Sequence, residues 1–433
     1  MVVGSWTTAG CTDVASLLDA ESDGFVSHYC YHIGNLQLHV FADKGGTMTA
    51  QQVLCEQEQA LERIAAVKER VAAYSSWSEQ ACRLHEDSFA AIVEARIPRL
   101  FLPEGLGGDE VSPMTCAAVC EAVADADTAA AWHIMVFNAA KLMAAKWPAE
   151  LVETLWADNP DRLIAASGHT PLRGVRVSGG VEISGTQRFV SGCNFAEWIM
   201  SPVMIDNEMH NAVIAIDQCQ VRDNWNTLGM RGSGSNDVLI DQVTVPSLQV
   251  VPPAQPETPV NAYYEGALYR CPSRIVFATY VPVALSLAKQ AIDEVASLVK
   301  TKTPGGGASK LTEKHMAQGH FGRALALYRS ARLMFYNALE ITWQRALDGS
   351  QATPEHRADL YLAGTHAVQT SAEVVRLMGS VAGTTMTEGG HPLDRINRDM
   401  ETLRHHGFVN ESRYASVAQV LWGAELDYPA MLR

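Results

Sequence analysis

The sequence predicts a mainly α-helical protein with a β-rich domain, expected to be a small antiparallel barrel, between two helical regions. Apolar residues recur at helical spacing from residue 48 to about residue 161. The period changes to two between about residues 162 and 271, as in strands, and becomes helical again from residue 272. The predicted domains are therefore 48–161, 162–271 and 272–433.

Residues 1–47 form a separate segment of uncertain status. They are rich in Gly, Ser, Asp and His, and they lack the basic and then apolar order of a signal peptide. A strong amphipathic helix begins at Met48. We therefore expect Met48 to be the natural start and the preceding segment to be an upstream extension; the alternative is a genuine N-terminal arm.

The first helical region begins with a helix that is apolar on one face and charged on the other. Its apolar positions are Val53, Leu54, Leu61, Ile64 and Val71. The Gly- and Pro-containing run 100–108 predicts a turn. Helices are expected to resume over residues 116–141 and 148–156.

The β-rich region opens with a run, 175–185, that predicts a hairpin with a Gly-Gly turn. Further strands are expected over 199–205, 212–216 and 237–245. Gly, Ser and Asn separate these runs at intervals suited to a small barrel.

The last region is helical almost to its end. Apolar side chains three or four apart predict one long helix from Phe321 to Leu339, and residues 363–379 predict another. Pro304 and three consecutive glycines predict a loop over 301–309.

Composition narrows the class of protein. The chain has 48 acidic and 33 basic side chains and a formal net charge of −15, which argues against a nucleic-acid surface. Nine cysteines, an odd number without a C-x-x-C pair, indicate free thiols in a reducing compartment rather than a zinc ribbon. With no stretch of ~18 uninterrupted apolar residues, we expect a cytoplasmic enzyme.

Three motifs, in this order, resemble the acyl-CoA dehydrogenase superfamily. The first is Leu-Pro-Glu-Gly-Leu-Gly-Gly at 102–108. The second is the set of glycine- and serine-containing runs at 179–185, 189–192 and 228–235, and the third is Pro-Leu-Asp-Arg-Ile-Asn-Arg-Asp at 392–399. The resemblance implies an N-terminal helical domain, a central antiparallel β-domain and a C-terminal four-helix bundle.

Two positions indicate a branch of this superfamily. Many acyl-CoA dehydrogenases place a catalytic glutamate eight residues after the Asp of the last motif, but here that position is Gly407. The residue before it, His406, resembles the histidine of flavin-dependent monooxygenases, the oxygenase components of two-component systems. Because some dehydrogenases carry their glutamate on another helix, an FAD-dependent acyl-CoA dehydrogenase or oxidase stays an alternative, as does a non-catalytic binding or assembly subunit.

The resemblance to monooxygenases implies a catalytic pair, His406 and Ser191. Such enzymes use reduced flavin (FADH2 or FMNH2) and O2 to form a flavin C4a-hydroperoxide that hydroxylates an aromatic, heteroaromatic or amine substrate. His406 would act as the base that activates the substrate, because an imidazole titrates near neutral pH. Ser191 would restrain the flavin near N5. A histidine satisfied in the core or at the surface is the structural alternative for His406.

The same resemblance implies a set of binding residues. Those expected to bind the cofactor are Ser167, Ser191, Gly192, Trp132, Arg231 and Ser235. Those expected to bind substrate are His133 and Asn138, on an alanine-rich helix that lines the ring pocket in the family. Ordinary turns for the serines, and core hydrogen bonds for His133 and Asn138, are the alternatives.

The expected partners follow from what the chain lacks. It has no G-x-G-x-x-G run after a buried parallel strand, so no nicotinamide site is indicated. Reducing equivalents would then come from a separate NAD(P)H:flavin reductase. The resemblance implies a homotetramer, and Arg395 and Arg398, with Asp394 and Asp399, are expected to form structural ion pairs.

Overall fold

Along the chain, one group of helices precedes a large β-sheet and a second group follows it. They are seen in a computed structural model that describes residues 28–33, 36–41, 50–168, 170–252, 260–305 and 307–432. Strands β1 (His28–Ile33) and β2 (Leu36–Phe41) pair antiparallel. The remainder of the segment 1–47 lies outside the described residues, and its expected status as an extension stays a prediction.

Six α-helices precede the sheet in the part of the chain that the structure describes. They are α1 (Ala50–Ala73), α2 (Ser75–Ala81), α3 (Glu86–Glu94), α4 (Pro113–Ala124), α5 (Thr128–Met143) and α6 (Ala149–Trp156). The single helix expected over 116–141 is divided into α4 and α5. The division has a local cause, because Asp127 caps the second helix by accepting a hydrogen bond from the Ala130 N–H at 2.8 Å.

The central sheet is open, so the expectation of a closed barrel is wrong. Its strands are β3 (Ile164–Ala166), β4 (Leu172–Val177), β5 (Gly180–Val190), β6 (Trp198–Ile205), β7 (Glu208–Ala215), β8 (Gln220–Arg222), β9 (Asn236–Val245) and β10 (Val250–Val251). The order is β10-β7-β6-β4-β5-β9-β8, with β3 beside β6. The end strands β8 and β10 span only three and two residues, which leaves too little backbone to close the sheet.

The sheet is also not purely antiparallel. Strands β4 and β5 form the predicted hairpin, with Val177 paired to Gly180. Strand β6, however, runs parallel to both β3 and β4. The β5–β9 ladder shifts register between Gln187 and Val190, and Phe189 there has a φ of 57°. This bulge ends the strand directly before Ser191.

Among the described residues, five α-helices follow the sheet. They are α7 (Val281–Thr301), α8 (His315–Leu347), α9 (Pro354–Ala382), α10 (Pro392–Leu403) and α11 (Ser412–Trp422). Helix α9 packs against α7, α8, α10 and α11. The expected four-helix bundle stays a prediction, because five helices share this packing. By length and composition Ser273–Thr301 could cross a membrane, but 89% of its most apolar window is buried within the molecule, as in a core helix.

Candidate functional site

His406 lies among three aromatic rings contributed by different parts of the chain. Its ring centre is 5.4 Å from that of Trp132 on α5 and 5.5 Å from that of Tyr280 before α7. The ring of Phe408, two residues later, is 5.0 Å away. We call His406, Trp132, Tyr280 and Phe408 the aromatic wall. Flat apolar faces of this kind suit a planar ring ligand.

The position of His406 is set by the turn that follows α10. Its N–H donates to the Leu403 carbonyl at 3.0 Å, and its own carbonyl accepts from the N–H groups of Val409 and Asn410. The Phe408 N–H contacts His406 Nδ1 at 3.5 Å, the long limit of a hydrogen bond. Because no described residue bonds Nε2, that nitrogen is the one left for a ligand.

The surroundings keep His406 uncharged. Desolvation of the ring, together with the nearby positive charge of Arg274, lowers the pKa of His406 to about 4. At neutral pH the imidazole is therefore neutral and can accept or donate one hydrogen bond. It is not the surface histidine of the structural alternative, because its ring is half-buried among aromatic side chains.

A buried chain of hydroxyl groups leads away from the aromatic wall. Trp132 Nε1 donates to Ser191 Oγ at 3.1 Å. Ser191 Oγ lies 2.6 Å from Ser235 Oγ, which lies 2.8 Å from Ser233 Oγ. Trp132 can only donate, so Ser191 must accept from it. If Ser235 also donates to Ser191, the single Ser191 proton is left for a ligand.

The residues present fit the flat, polar-edged ring of a flavin. The Tyr280 hydroxyl is fully buried and has no hydrogen-bond partner among the described residues, although it belongs to the aromatic wall. A buried polar atom without a partner indicates an absent ligand or water. With Trp132, Ser191 and Ser235 nearby, the wall offers hydroxyl groups to a ring edge and aromatic faces to the ring itself.

Gly192 allows the chain to pack closely against α5 at the end of β5. Its φ is 74°, which favours glycine. A Cβ there would lie 3.1 Å from Val136 and 3.2 Å from Phe137. Its described contacts are thus with α5, and its expected role toward the cofactor stays a prediction.

Two residues that were expected to bind the cofactor form hydrogen bonds within the protein. Ser167 Oγ donates to the Arg188 carbonyl at 2.6 Å, joining the end of β3 to β5. The Arg231 guanidinium donates to the Glu79 and Thr227 carbonyls at 3.0 and 2.9 Å. It also donates to Asn226 Oδ1 at 2.7 Å. These contacts favour structural roles, so direct flavin contacts by Ser167 and Arg231 stay predictions.

The two expected substrate residues differ from one another. Asn138 accepts from the Phe101 N–H and donates to the Ile97 and Ile134 carbonyls, all at 2.9–3.0 Å. These bonds join α5 to the turn at 97–101 and favour the core alternative for Asn138. His133 Nδ1 bonds the Ala129 carbonyl at 2.7 Å, and burial lowers its pKa. Its other nitrogen is the better candidate for a ligand contact.

Asp399 holds together the elements that carry the site. Its carboxylate accepts from Thr128 Oγ1 at the start of α5 and from the Met230 N–H, both at 2.6 Å. Arg395 lies 3.6 Å from the same carboxylate and 3.1 Å from Asp127. The expected ion pairs are present, and they fix α10, α5 and the loop before β9 relative to one another.

Sequence reasoning did not single out Tyr280, Phe408 or Arg274. In the sequence, Tyr280 and Phe408 look like ordinary apolar positions. No local pattern indicates that an aromatic ring will face a histidine distant in the chain. The sequence offers one weak indication for Arg274, which is a cation directly before the apolar run 275–283. Only the folded arrangement brings it beside Phe408, with its Cζ 4.2 Å from the ring centre.

Comparisons with known proteins find similar sequences over most of the chain. The family described as acyl-CoA dehydrogenase, C-terminal domain, matches residues 278–411. The chain is 28% identical over 335 residues to the indole-3-acetate monooxygenase of Pseudomonas putida, covering 76% of this chain and 84% of that protein. It is 24% identical over 381 residues to the p-hydroxyphenylacetate 3-hydroxylase oxygenase component of Acinetobacter baumannii, covering 84% and 88%.

The fold is similar to that of a solved flavin complex. XiaF from Streptomyces sp. in complex with FADH2 and glycerol aligns with a TM-score of 0.82 at 18% identity, covering 87% of this chain and 98% of that chain. The motifs, the fold and the matched relatives thus agree. Residues 278–411 match the acyl-CoA dehydrogenase C-terminal domain, the chain is similar over most of its length to flavin-dependent monooxygenases, and it is an oxidoreductase.

Proposed function

We propose that the protein is the oxygenase component of a two-component monooxygenase, which uses reduced flavin and O2 to hydroxylate an aromatic or heteroaromatic ring. The observation that carries the proposal is the neutral His406 within the aromatic wall, beside the Trp132–Ser191 hydrogen bond. An acyl-CoA dehydrogenase of this superfamily needs a carboxylate base, and the position expected for it is Gly407. The relatives named above are hydroxylating enzymes.

The protein residues have distinct tasks in this reaction. Reduced flavin, when bound, activates O2 and supplies the oxygen atom. Ser191, held by Trp132 and Ser235, would donate a hydrogen bond to a flavin ring edge and so orient the ring. The aromatic wall excludes water from the reacting atoms.

His406 acts on the substrate. In the tautomer that carries the ring proton on Nδ1, which gives up the long 3.5 Å contact from the Phe408 N–H, Nε2 can accept the proton of a phenol O–H or an indole N–H. This makes the ring a better nucleophile as it takes up oxygen. A pKa of about 4 is low for a full proton transfer from such weak acids. His406 therefore works best as a hydrogen-bond acceptor that takes the proton as the carbon–oxygen bond forms.

The flavin must be reduced elsewhere. The relatives that are oxygenase components have names that imply a separate reductase. One relative is named as FADH2-dependent, and solved neighbours hold FADH2 or FMN. We therefore propose a separate NAD(P)H:flavin reductase as the partner, with FADH2 or FMNH2 as the species delivered.

The test combines the protein, chemically reduced FAD or FMN and oxygenated buffer with indole-3-acetate or p-hydroxyphenylacetate. We expect a hydroxylated product, measured by mass spectrometry, and less hydrogen peroxide than in the same mixture without protein. Reduction of protein-bound oxidised FAD by an acyl-CoA would instead identify a dehydrogenase. Failure to bind flavin in either redox state would indicate a non-catalytic subunit.

A further inference from the structure

The turn that carries His406 is attached to helix α9 by one glutamine. Gln369 Nε2 donates to the Arg404 carbonyl at 3.0 Å and to the Val409 carbonyl at 2.8 Å. These two carbonyls lie on either side of His406 in the chain, just after α10 ends. One side-chain amide therefore binds the turn 404–409 at both of its ends.

The partners of Gln369 fix the orientation of its amide group. A carbonyl oxygen can only accept, so the NH2 group, and not the amide oxygen, must face both partners. Val409 is fully buried, and a buried carbonyl without a donor is costly. A side chain without N–H donors at position 369 would remove this donor from the Val409 carbonyl, and the turn would have to shift or admit water to supply another.

The turn bound by Gln369 contains two members of the aromatic wall, His406 and Phe408. Hydrogen bonds within the turn set its shape, because the His406 N–H donates to the Leu403 carbonyl and the His406 carbonyl accepts from the Val409 N–H, both at 3.0 Å. These bonds are local and do not fix the place of the turn in the molecule. The Gln369 bonds do, because they come from α9, which packs against α7, α10 and α11.

Building on the proposed function, we propose that Gln369 is a positioning residue, which fixes His406 and Phe408 in the aromatic wall and so holds the His406 imidazole in place for the substrate. Gln369 acts through the turn and does not need to touch substrate or flavin. The ring centre of His406 is 5.4 Å from that of Trp132, and misplacing a reacting group by about 1 Å can lower a rate by about 10²-fold.

The first test follows His406 itself by NMR, in the full chain without flavin. Desolvation and the charge of Arg274 lower the pKa of His406 to about 4, so the wild-type signals should not shift between about pH 5.5 and about pH 8. The signals are identified by their loss in His406→Gln. In Gln369→Leu the turn loosens and water reaches the ring, so the pKa of His406 should rise towards its ordinary range and the signals should shift within that interval. Signals as constant as in the wild type would overturn the proposal.

Gln290 on helix α7 provides a matched control. Like Gln369 it is a half-buried glutamine whose Nε2 donates twice, to the Ala124 carbonyl and to Ser286 Oγ, both at 3.0 Å. Gln290→Leu should lower stability in a similar way and leave the His406 signals unchanged. Equal effects of the two variants on His406 would overturn the proposal, because they would reflect general loosening of the molecule.

Two further measurements apply if Gln369→Leu does not fold. Gln369→Met is nearly as long as the glutamine but has no N–H donor, and it should give the same shift of the His406 signals. In the wild type, the side-chain N–H protons of Gln369 should exchange slowly with solvent, because both are hydrogen-bonded. Exchange as rapid as in an exposed glutamine would overturn the proposal without any variant.

The second test measures the reaction with reduced FAD or FMN, oxygen and a compound that the wild type hydroxylates. Gln369→Leu should give about 10- to 100-fold less product per flavin oxidised, with more hydrogen peroxide, while Gln290→Leu should match the wild type. An unchanged product yield in Gln369→Leu would remove Gln369 from the reaction. If the wild type hydroxylates nothing but His406 still responds to Gln369→Leu, the contact between Gln369 and the turn stands and the proposed function fails.

Discussion

The protonation state of His406 is determined by the groups around it. An imidazole in water is half-protonated near pH 6.5, but desolvation and Arg274 bring the pKa of His406 to about 4. It is therefore neutral at and around neutral pH. The pH profile of product formation should show no inflection near 6.5 that arises from this residue.

Replacing His406 with glutamine should uncouple the reaction. We expect hydroxylated product to fall by about 10²–10⁴-fold, the usual contribution of a positioned acid–base group. Reduced flavin should still be oxidised, with hydrogen peroxide as the product. His405→Gln is the control, because His405 is the exposed neighbour. Equal product yields in the two variants would remove His406 from the mechanism.

Replacing Ser235 tests whether the chain of serine hydroxyl groups supports flavin binding, rather than the oxygen-transfer step. In Ser235→Ala, Ser191 loses a partner at 2.6 Å and can turn its proton away from the flavin. We expect reduced FAD or FMN to bind roughly 5- to 10-fold more weakly, as for the loss of about one hydrogen bond. Anaerobic titration followed by Trp fluorescence measures this. The Ser178→Ala variant, altered in the exposed β4–β5 turn, should bind flavin normally; equal affinities for both variants would show that the chain does not hold the ring.

At the scale of elements, the loop before β9 and helix α10 touch through their backbones. A Cβ on Gly229 would lie 2.1 Å from the Arg398 carbonyl oxygen, so only glycine permits this contact. The Gly229 N–H donates to Thr402 Oγ1 at 2.9 Å. This contact links the loop that carries Ser235 to the helix that ends just before His406.

Gly229→Ala should therefore separate these two elements. We expect a loss of about 1–3 kcal/mol in the free energy of unfolding, because backbone atoms must move. Flavin binding should weaken as well, which calorimetry and titration would show together. Gly389→Ala, where a Cβ meets nothing within 4 Å, should change stability by less than about 0.5 kcal/mol. A Gly229→Ala protein as stable as this control would contradict the close contact.

The elements that the sequence predicted well are those set by local pattern. Helix α8 follows from the regular apolar spacing between Phe321 and Leu339, and the β4–β5 hairpin follows from alternation around a glycine turn. The prediction of a closed barrel was wrong because closure depends on how far the edge strands extend, and β8 and β10 are very short. The break between α4 and α5 was missed although Asp127 is a typical capping residue.

Across the whole molecule, one group of charges joins all three regions. Arg395 on α10 contacts Ser75 and Asp127 of the first helical region, and Asp399 accepts from the Met230 N–H of the sheet region. The site residues His406, Ser235 and Trp132 come from these same regions. Sequence motifs could indicate the residues, but only long-range packing brings them together.

Arg395→Met should weaken this junction. Removing Arg395 leaves the buried Asp127 and Asp399 carboxylates with hydrogen bonds but without this cation, and we expect a loss of about 3–5 kcal/mol. Arg323→Met removes an exposed ion pair with Glu373 and should cost less than about 1 kcal/mol. Urea unfolding of both variants checks the contrast. Equal losses would mean that the charge group does not join the regions.

The most direct test of the account is a single turnover with ¹⁸O2. The protein, reduced flavin and an aromatic acid are mixed without oxygen, then exposed to ¹⁸O2, and the product is examined by mass spectrometry. We expect one ¹⁸O atom in the hydroxylated ring, because a monooxygenase transfers one oxygen atom of O2. A product that carries oxygen from water, or a substrate returned unchanged while all the oxygen forms hydrogen peroxide, would contradict the account.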